Sequence, residues 1–163
     1  AADKLASEHY LDFYRRQHGL EPVVFRFFNV YGPRQDPSSP YSGVISIFTE
    51  RALAGRPITV FGDGEQTRDF FYIDDLVPLL VQVLFNEGVQ PGAVNVGHSQ
   101  SVSLNQLLEA VRQVLGSLPQ VTYDEARAGD IRHSRADSTL LRQRFQLGAA
   151  TPLAQGLAQL LGR

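Results

Sequence analysis

The sequence predicts an α/β fold, on three observations. A run of β-branched and aromatic residues, Val23-Val24-Phe25-Arg26-Phe27-Phe28-Asn29-Val30, follows an amphipathic helical segment; strand-like and helix-like stretches then alternate along the chain; and glycine or proline marks most of the junctions between them. The run reads as a buried parallel strand, because a strand covered on both faces has no need of polar alternation.

The elements follow in order. Residues 1 to about 18 place Leu5, Ala6, Tyr10, Phe13 and Tyr14 at helical spacing, and Gly19 is a suitable stop. After the buried strand comes a turn-rich stretch from Gly32 to Gly43 containing Pro33, Pro37 and Pro40, and then a helix from Val44 to Ala54 ended by Gly55. Ile58 to Phe61 is a short strand, Gly62-Asp63-Gly64 breaks the chain, and Phe70 to Ile73 resumes as strand. Asp74 and Asp75 stand where they would cap a helix from Leu76 to Phe85, with Pro78 in its first turn. Ala93 to Val96 is a further strand, and Ser103 with Gln106 forms a capping box for a helix running to Leu115 and closed by Gly116. The last third reads as a strand from Val121 to Tyr123, a polar loop from Arg127 to Arg135, a helix starting near Asp137, and a final helix with Thr151 as cap and Pro152 at its first position. A parallel sheet normally needs more βαβ units than this order supplies, and the missing ones are expected before Ala1.

With 163 residues, 43% hydrophobic and 20% charged, the chain has about one domain's length and can bury a core. The formal net charge of -2 argues against a strongly basic nucleic-acid binder and against a polybasic membrane anchor, so an anionic ligand must be met by local cations. No apolar run approaches the roughly 18 residues of a membrane span and no leader pattern opens the chain, so a cytoplasmic location is the expectation. The absence of cysteine excludes disulfides, a cysteine nucleophile and thiolate metal sites within these residues. His9, His18, His98 and His133 lack ligand spacing, and no metal is expected. Methionine is also absent and the chain opens Ala1-Ala2-Asp3, which reads as part of a longer protein. Among its fifteen basic residues Lys4 is the single lysine.

Arg68, in Gly64-Glu65-Gln66-Thr67-Arg68-Asp69, is expected in a loop between two short strands, and Arg127 lies on a second loop, Arg127-Ala128-Gly129-Asp130-Ile131-Arg132-His133. A guanidinium fork suits phosphate, and two of them converging would bind a pyrophosphate; a single loop arginine is more often solvated or in a surface ion pair. Asn29 falls at the end of the buried strand, where open α/β sheets place ligands, although an asparagine there can also serve its own turn. Gly62-Asp63-Gly64 lacks the Lys-Ser/Thr of a phosphate loop.

Four ordered stretches resemble the NAD-dependent nucleotide-sugar epimerases and dehydratases of the extended short-chain dehydrogenase/reductase family. They are Ala1-Ala2-Asp3-Lys4, Arg26-Phe27-Phe28-Asn29-Val30-Tyr31-Gly32-Pro33-Arg34-Gln35-Asp36-Pro37, Phe61-Gly62-Asp63-Gly64-Glu65-Gln66-Thr67-Arg68-Asp69-Phe70 and Gly129-Asp130-Ile131-Arg132-His133-Ser134. The similarity is greatest to UDP-sugar 4-epimerases of the UDP-glucose and UDP-N-acetylglucosamine type. It implies the C-terminal part of a Rossmann-like domain, residues 1–32, followed by a smaller α/β substrate-binding domain, residues 33–163, with some segments returning to the Rossmann sheet.

The resemblance also implies roles. Lys4 would be the lysine of a Tyr-x-x-x-Lys pair whose tyrosine falls one residue before Ala1, so the chain alone is expected to be inactive. Tyr10 cannot substitute, because six residues place it roughly 240° around the helix. Lys4 and Phe28 would border NAD, whose glycine-rich loop is not in these residues. Asn29, Arg68 and Arg127 would hold the UDP phosphates, with Asp130 near the nucleotide. Val44, Thr59, Val60 and Phe61 would border the uridine, and the space near Ser134 would decide whether an N-acetyl group fits. In the family a hydride leaves sugar C4 for NAD, the 4-keto sugar turns, and the hydride returns to the other face. The first helix would pack against a second subunit, leaving Leu5, Phe13 or Tyr14 exposed in its absence. The 4,6-dehydratases and decarboxylases share these motifs, and a non-catalytic nucleotide-sugar binding module is the alternative outside the enzyme class.

Overall fold

The computed structural model describes residues 2–39, 43–85 and 92–163; Ala1 and Pro40 of the stretches above lie outside them. Helix α1, Ala2–His18, carries the expected apolar stripe, but nothing among the described residues covers it: none of its residues is buried, and Leu5, Phe13 and Tyr14 are about half exposed. A two-pronged ion pair ties α1 to the next strand, β1 (Val23–Phe27), with Arg26 Nε 2.8 Å and NH2 2.6 Å from the two carboxylate oxygens of Glu8.

The run expected as one buried strand is two. Strand β1 pairs in parallel with residues Gly92–Val96, and after Phe28 the chain becomes β2 (Asn29–Tyr31), which pairs in parallel with Phe70–Tyr72. The partner changes because the Gly92–Val96 strand ends: Phe28 N–H donates to the Val96 carbonyl at 3.1 Å, and Asn29 N–H turns instead to the Asp69 carbonyl at 3.0 Å. Strand β1 is half-buried rather than buried. Val23 and Phe25 pack into one core, while Arg26 and Phe27 are exposed. Among the described residues no strand pairs with its other edge, as expected for a strand lacking sheet neighbours.

The remaining elements are α2 (Val44–Leu53), β3 (Ile58–Phe61), β4 (Thr67–Arg68), β5 (Phe70–Tyr72), α3 (Ile73–Phe85), β6 (Gly92–Val96), β7 (Val102–Ser103), α4 (Leu104–Leu115), β8 (Val121–Asp124), α5 (Thr139–Arg144) and α6 (Leu153–Leu160). Strands β3 and β8 pair in parallel and β4 and β7 antiparallel. At two residues each, β4 and β7 are too short to show a period, which is why Arg68 was expected in a loop.

Two apolar clusters hold these elements. Phe71, Leu76, Leu79, Val94, Val96, Leu141 and Phe145 join β1 and β6 to α3 and α5; Tyr31, Phe48, Ile58, Val60, Leu107, Val111 and Leu157 join β2, β3 and β5 to α2, α4 and α6. Helix α4 is built as expected. The Ser103 hydroxyl accepts from Gln106 N–H at 3.1 Å, the Gln106 side chain accepts from Ser103 N–H at 2.9 Å, and Gly116 closes the helix at φ 82°.

Asp75 and Thr151, both expected as caps, form a tertiary tie instead. Helix α3 begins at Ile73, so Asp74 and Asp75 lie within its first turn and Pro78 is its sixth residue, where it removes a bond to the Asp74 carbonyl. Thr151 precedes the capping position, which Pro152 holds. Its N–H and hydroxyl both donate to Asp75, at 3.0 and 2.7 Å, and His98 Nε2 stands 3.2 Å from the same carboxylate. Side chains suited to local caps thus tie the entry to α6 and the exit of β6 onto α3. The helix expected near Asp137 starts at Thr139, whose N–H donates to the Asp137 carboxylate at 3.0 Å. Among the described residues no helix is long and apolar enough to cross a membrane.

Gly156 on α6 shows how close the packing is. A Cβ there would lie 2.2 Å from the Tyr31 hydroxyl, 2.9 Å from Tyr31 Cζ and 3.0 Å from Tyr72. Alanine gains about 1 kcal/mol of helix propensity over glycine, and forced overpacking costs about 1–3 kcal/mol. Overlap with two buried rings wins, so Gly156→Ala is expected to lower the thermal midpoint; a raised midpoint would show that α6 can slide outward.

Candidate functional site

A cavity of about 620 Å³ opens between α2, β3, β4 and the loop after β8. Its wall includes Asn29, Val44, Thr59, Phe61, Arg68, Arg127 and Asp130, brought together from five separate stretches of chain. Asn29 is placed by the change of strand partner just described. Helix α2 supplies an apolar side, Val44, Ile47 and Phe48.

Strand β3 supplies the opposite side by alternation. Ile58 N–H and Gly62 N–H donate to Gln120 and Asp124 of the β8 segment, at 2.8 and 2.9 Å. Every second residue therefore faces β8, and Thr59 and Phe61 turn their N–H and C=O groups to the other edge, where no strand pairs among the described residues. One of these, the Phe61 carbonyl, accepts from Gln66 Nε2 at 2.6 Å. The same alternation corrects an expectation: Val60 was grouped with Thr59 and Phe61 beside the ligand, but its side chain is fully buried in the core.

Arg68 is held on three sides. Its NH1 donates to the Thr67 carbonyl at 2.8 Å and the Ile131 carbonyl at 2.7 Å, and its NH2 meets Asp130 at 2.6 Å, with the side chain 16% exposed. Arg127 lays its guanidinium over the Phe61 ring, 3.7 Å from the centroid. The two arginine-bearing segments are also cross-linked reciprocally. Arg132 forks onto Asp63 at 2.6 and 2.7 Å, Thr67 N–H donates to the Arg132 carbonyl at 2.8 Å, and Ser134 N–H donates to the Thr67 carbonyl at 3.1 Å. The Arg132 fork holds the Asp63 carboxyl down to about 2. Beneath them Asp69, fully buried, accepts from His98 N–H at 2.9 Å and Ala136 N–H at 3.0 Å, so the strand carrying Arg68 and the end of the Arg127 loop are pinned to the exit of β6.

Lys4, Phe28 and Ser134 are not on this wall. Lys4 is exposed on α1, Phe28 is half-buried at the β1–β2 junction, and Ser134 lies beside the rim next to the Thr67–His133 bridge. Two polar residues missed from sequence do line the cavity. Arg51 on α2 donates NH1 to the Pro57 carbonyl at 2.8 Å, and the buried Gln66 keeps its Oε1 without a partner. Neither had a signal beyond its residue type. Three arginines thus face the cavity against one acid, Asp130, in a chain of net charge -2. Such a wall suits an anionic ligand that also carries an apolar ring. Among the described residues no group of acidic and histidine side chains is placed to hold a metal.

An α/β fold with parallel strand pairs and a cationic cleft beside them defines a Rossmann-like ligand-binding protein. Residues 1–97 match the NAD dependent epimerase/dehydratase family, and the chain belongs to that family. It is 38% identical over 161 residues to the UDP-glucose 4-epimerase of Mycolicibacterium smegmatis, covering 98% of this chain and 50% of that protein. Its fold matches the UDP-glucose 4-epimerase of Thermotoga maritima solved with UDP-glucose, at a TM-score of 0.88 and 35% identity, over 97% of this chain and 50% of that one. It also matches the Thermus thermophilus UDP-glucose 4-epimerase in complex with NAD, at a TM-score of 0.85 and 33% identity, over 99% of this chain and 52% of that one. Relatives of other activity include UDP-glucuronic acid decarboxylase 5 of Arabidopsis thaliana, 32% identical over 144 residues, which are 88% of this chain and 41% of that protein. The chain spans about half the length of the curated relatives it matches.

Proposed function

We propose that this chain supplies the nucleotide-sugar site of an NAD-dependent UDP-sugar 4-epimerase that interconverts UDP-glucose and UDP-galactose. The observation that carries the reading is the meeting of Arg68 and Arg127, from segments far apart in sequence, on one cavity beside Asn29. In this reading the three hold the pyrophosphate, and Asp130, already bonded to Arg68, lies near the nucleotide. Val44, Thr59 and Phe61 border the uridine. The outer edge of β3 offers the N–H and C=O of Thr59 and the N–H of Phe61, which complement the imide edge of a uracil. Ser134 stands toward the hexose. A pyrophosphate pinned by arginines leaves the sugar free to turn about its phosphate linkage, as epimerisation at C4 requires.

Lys4 and Phe28 would border NAD. Phe28 fits that place, since it sits where the chain leaves the carboxyl end of β1 and changes sheet partner, the position at which open α/β sheets take ligands. NAD held there would supply the hydride acceptor and donor for the reaction at C4. In this reading Lys4 is the lysine of the family's Tyr-x-x-x-Lys pair, and its ammonium would favour the ionised form of a tyrosine on the same helix face, the form that can take the sugar hydroxyl proton. The uncovered stripe of Leu5, Phe13 and Tyr14 meets a second subunit in this reading. A decarboxylase or dehydratase is the second reading, favoured by the decarboxylase relative and served by the same cavity.

Calorimetric titration of the chain with UDP, UDP-glucose and NAD, separately and at modest salt, tests the site. UDP and UDP-glucose are expected to bind and NAD alone is not. Absence of UDP binding overturns the assignment of Arg68 and Arg127 to phosphate.

A further inference from the structure

We infer that Arg51 selects the nucleobase, a role that rests on the nucleotide reading above and adds to it a side chain outside the pyrophosphate clamp. Arg51 lines the cavity from α2, and its NH1 is anchored on the Pro57 carbonyl at 2.8 Å. That carbonyl lies two residues before Thr59, so the guanidinium is held over the start of β3, at the end of the strand away from Phe61 and Arg127. The other two cavity arginines have their own engagements: Arg68 with Asp130 and two carbonyls, Arg127 with the Phe61 ring. Asp130, the single acid among the described residues of the wall, is bonded to Arg68. The guanidinium of Arg51 has five N–H donors, more than the Pro57 carbonyl can use, and no acid on the wall is left to pair with it.

The surroundings say what ligand atom suits it. Between Arg51 and the clamp the wall is apolar on the α2 side, Ile47 and Phe48, and offers the unpaired β3 edge on the other. A flat heterocycle fits such a slot, with one face on apolar side chains and its polar rim on the strand. A guanidinium donates and never accepts. An exocyclic keto oxygen turned toward Arg51 is therefore bonded, whereas an exocyclic amine at that position sets donor against donor. Arg51 accordingly favours a keto pyrimidine, uracil or thymine, over cytosine.

The test is titration of uridine, UDP and CDP into the chain and into Arg51→Leu and Arg51→Glu, with thermal melts confirming that each variant folds. Leucine keeps the apolar cover of the arginine stem and a good helix propensity. The unsubstituted chain is expected to prefer UDP to CDP by roughly tenfold or more, as for one charge-assisted hydrogen bond against an unpaired donor. In Arg51→Leu, uridine and UDP should weaken by the same factor, about tenfold, while CDP is little changed, so the preference shrinks by that factor and what remains is held by the β3 edge. In Arg51→Glu the carboxylate can accept from the cytosine amine, and the preference should move toward CDP. An unchanged UDP-to-CDP ratio in Arg51→Leu overturns the inference, since an arginine that merely braces the Pro57 turn would give that result. So does a loss on UDP that uridine does not share, which would make Arg51 a phosphate contact. Failure of the unsubstituted chain to bind uridine, UDP and CDP overturns the nucleotide reading itself and the base-selecting role with it.

Discussion

Arg68→Ala is expected to weaken UDP binding about a hundredfold while leaving a cooperative thermal transition. The magnitude follows from a forked guanidinium on a pyrophosphate: two charge-assisted hydrogen bonds, at about 1.5 kcal/mol each, come to roughly two orders of magnitude in affinity. The fold should survive because Arg68 lies on a two-residue strand at the rim and contributes to neither apolar cluster. Its loss does free Asp130, which is 37% exposed and can be solvated. Lysine at this position should recover only part of the affinity, because an ammonium cannot span the Thr67 and Ile131 carbonyls and the phosphate together. Calorimetry on Arg68→Ala showing unchanged UDP affinity would remove this residue from the site.

Phe71→Ala should have the largest effect on stability. Phe71 is fully buried on β5, packs among Leu76, Leu79 and Val96, and stacks on the His98 ring at 4.2 Å with the planes 16° apart. Truncating such a phenylalanine costs about 3–5 kcal/mol, a large share of the roughly 5–15 kcal/mol that holds a typical domain together. Denaturant unfolding should show the midpoint fall with little change in slope. Because His98 donates its N–H to Asp69, which also holds Ala136, loosening the His98 stack should disturb the arginine segments too. UDP affinity is therefore expected to fall along with stability. A midpoint within the error of the unsubstituted chain would mean that the β5–α3 cluster can close over the missing ring.

The legible and illegible parts of this molecule divide along a physical line. Helix α4 was readable to its ends because its cap, box and terminal glycine are all local. Arg68, Arg127 and Asn29 were readable as candidates because their motifs occur in order, and the fold brings them to one cavity. The break at Phe28 was not readable, since it depends on where β6, some way down the chain, runs out of edge. Asp75 and Thr151 were misjudged for a related reason: acids and hydroxyls that suit a cap suit a tertiary tie equally well, and only the packing of α3 against the α6 entry decides between them. Val60 was misplaced because its neighbours were treated as a block rather than by strand alternation. Arg51 lacked any cue, as a helix arginine declares its surroundings only once β3 is laid beside it.

The reciprocal cross-links between the β4 segment and the loop after β8 bear on when this molecule acquires its site. Thr67 and His133, which meet there, are 66 residues apart, and the parallel strand pairs also join distant parts of the chain. Contacts of such long range slow folding, because loop-closure entropy must be met before they form. The cavity is thus expected to form late, after β3 has found β8 and both arginine segments have closed on each other. A nucleotide bound as proposed would recognise only that finished arrangement. Added to a refolding reaction, it should leave the folding rate almost untouched and act by retarding unfolding, so the protection it gives is a matter of lifetime rather than of assembly speed.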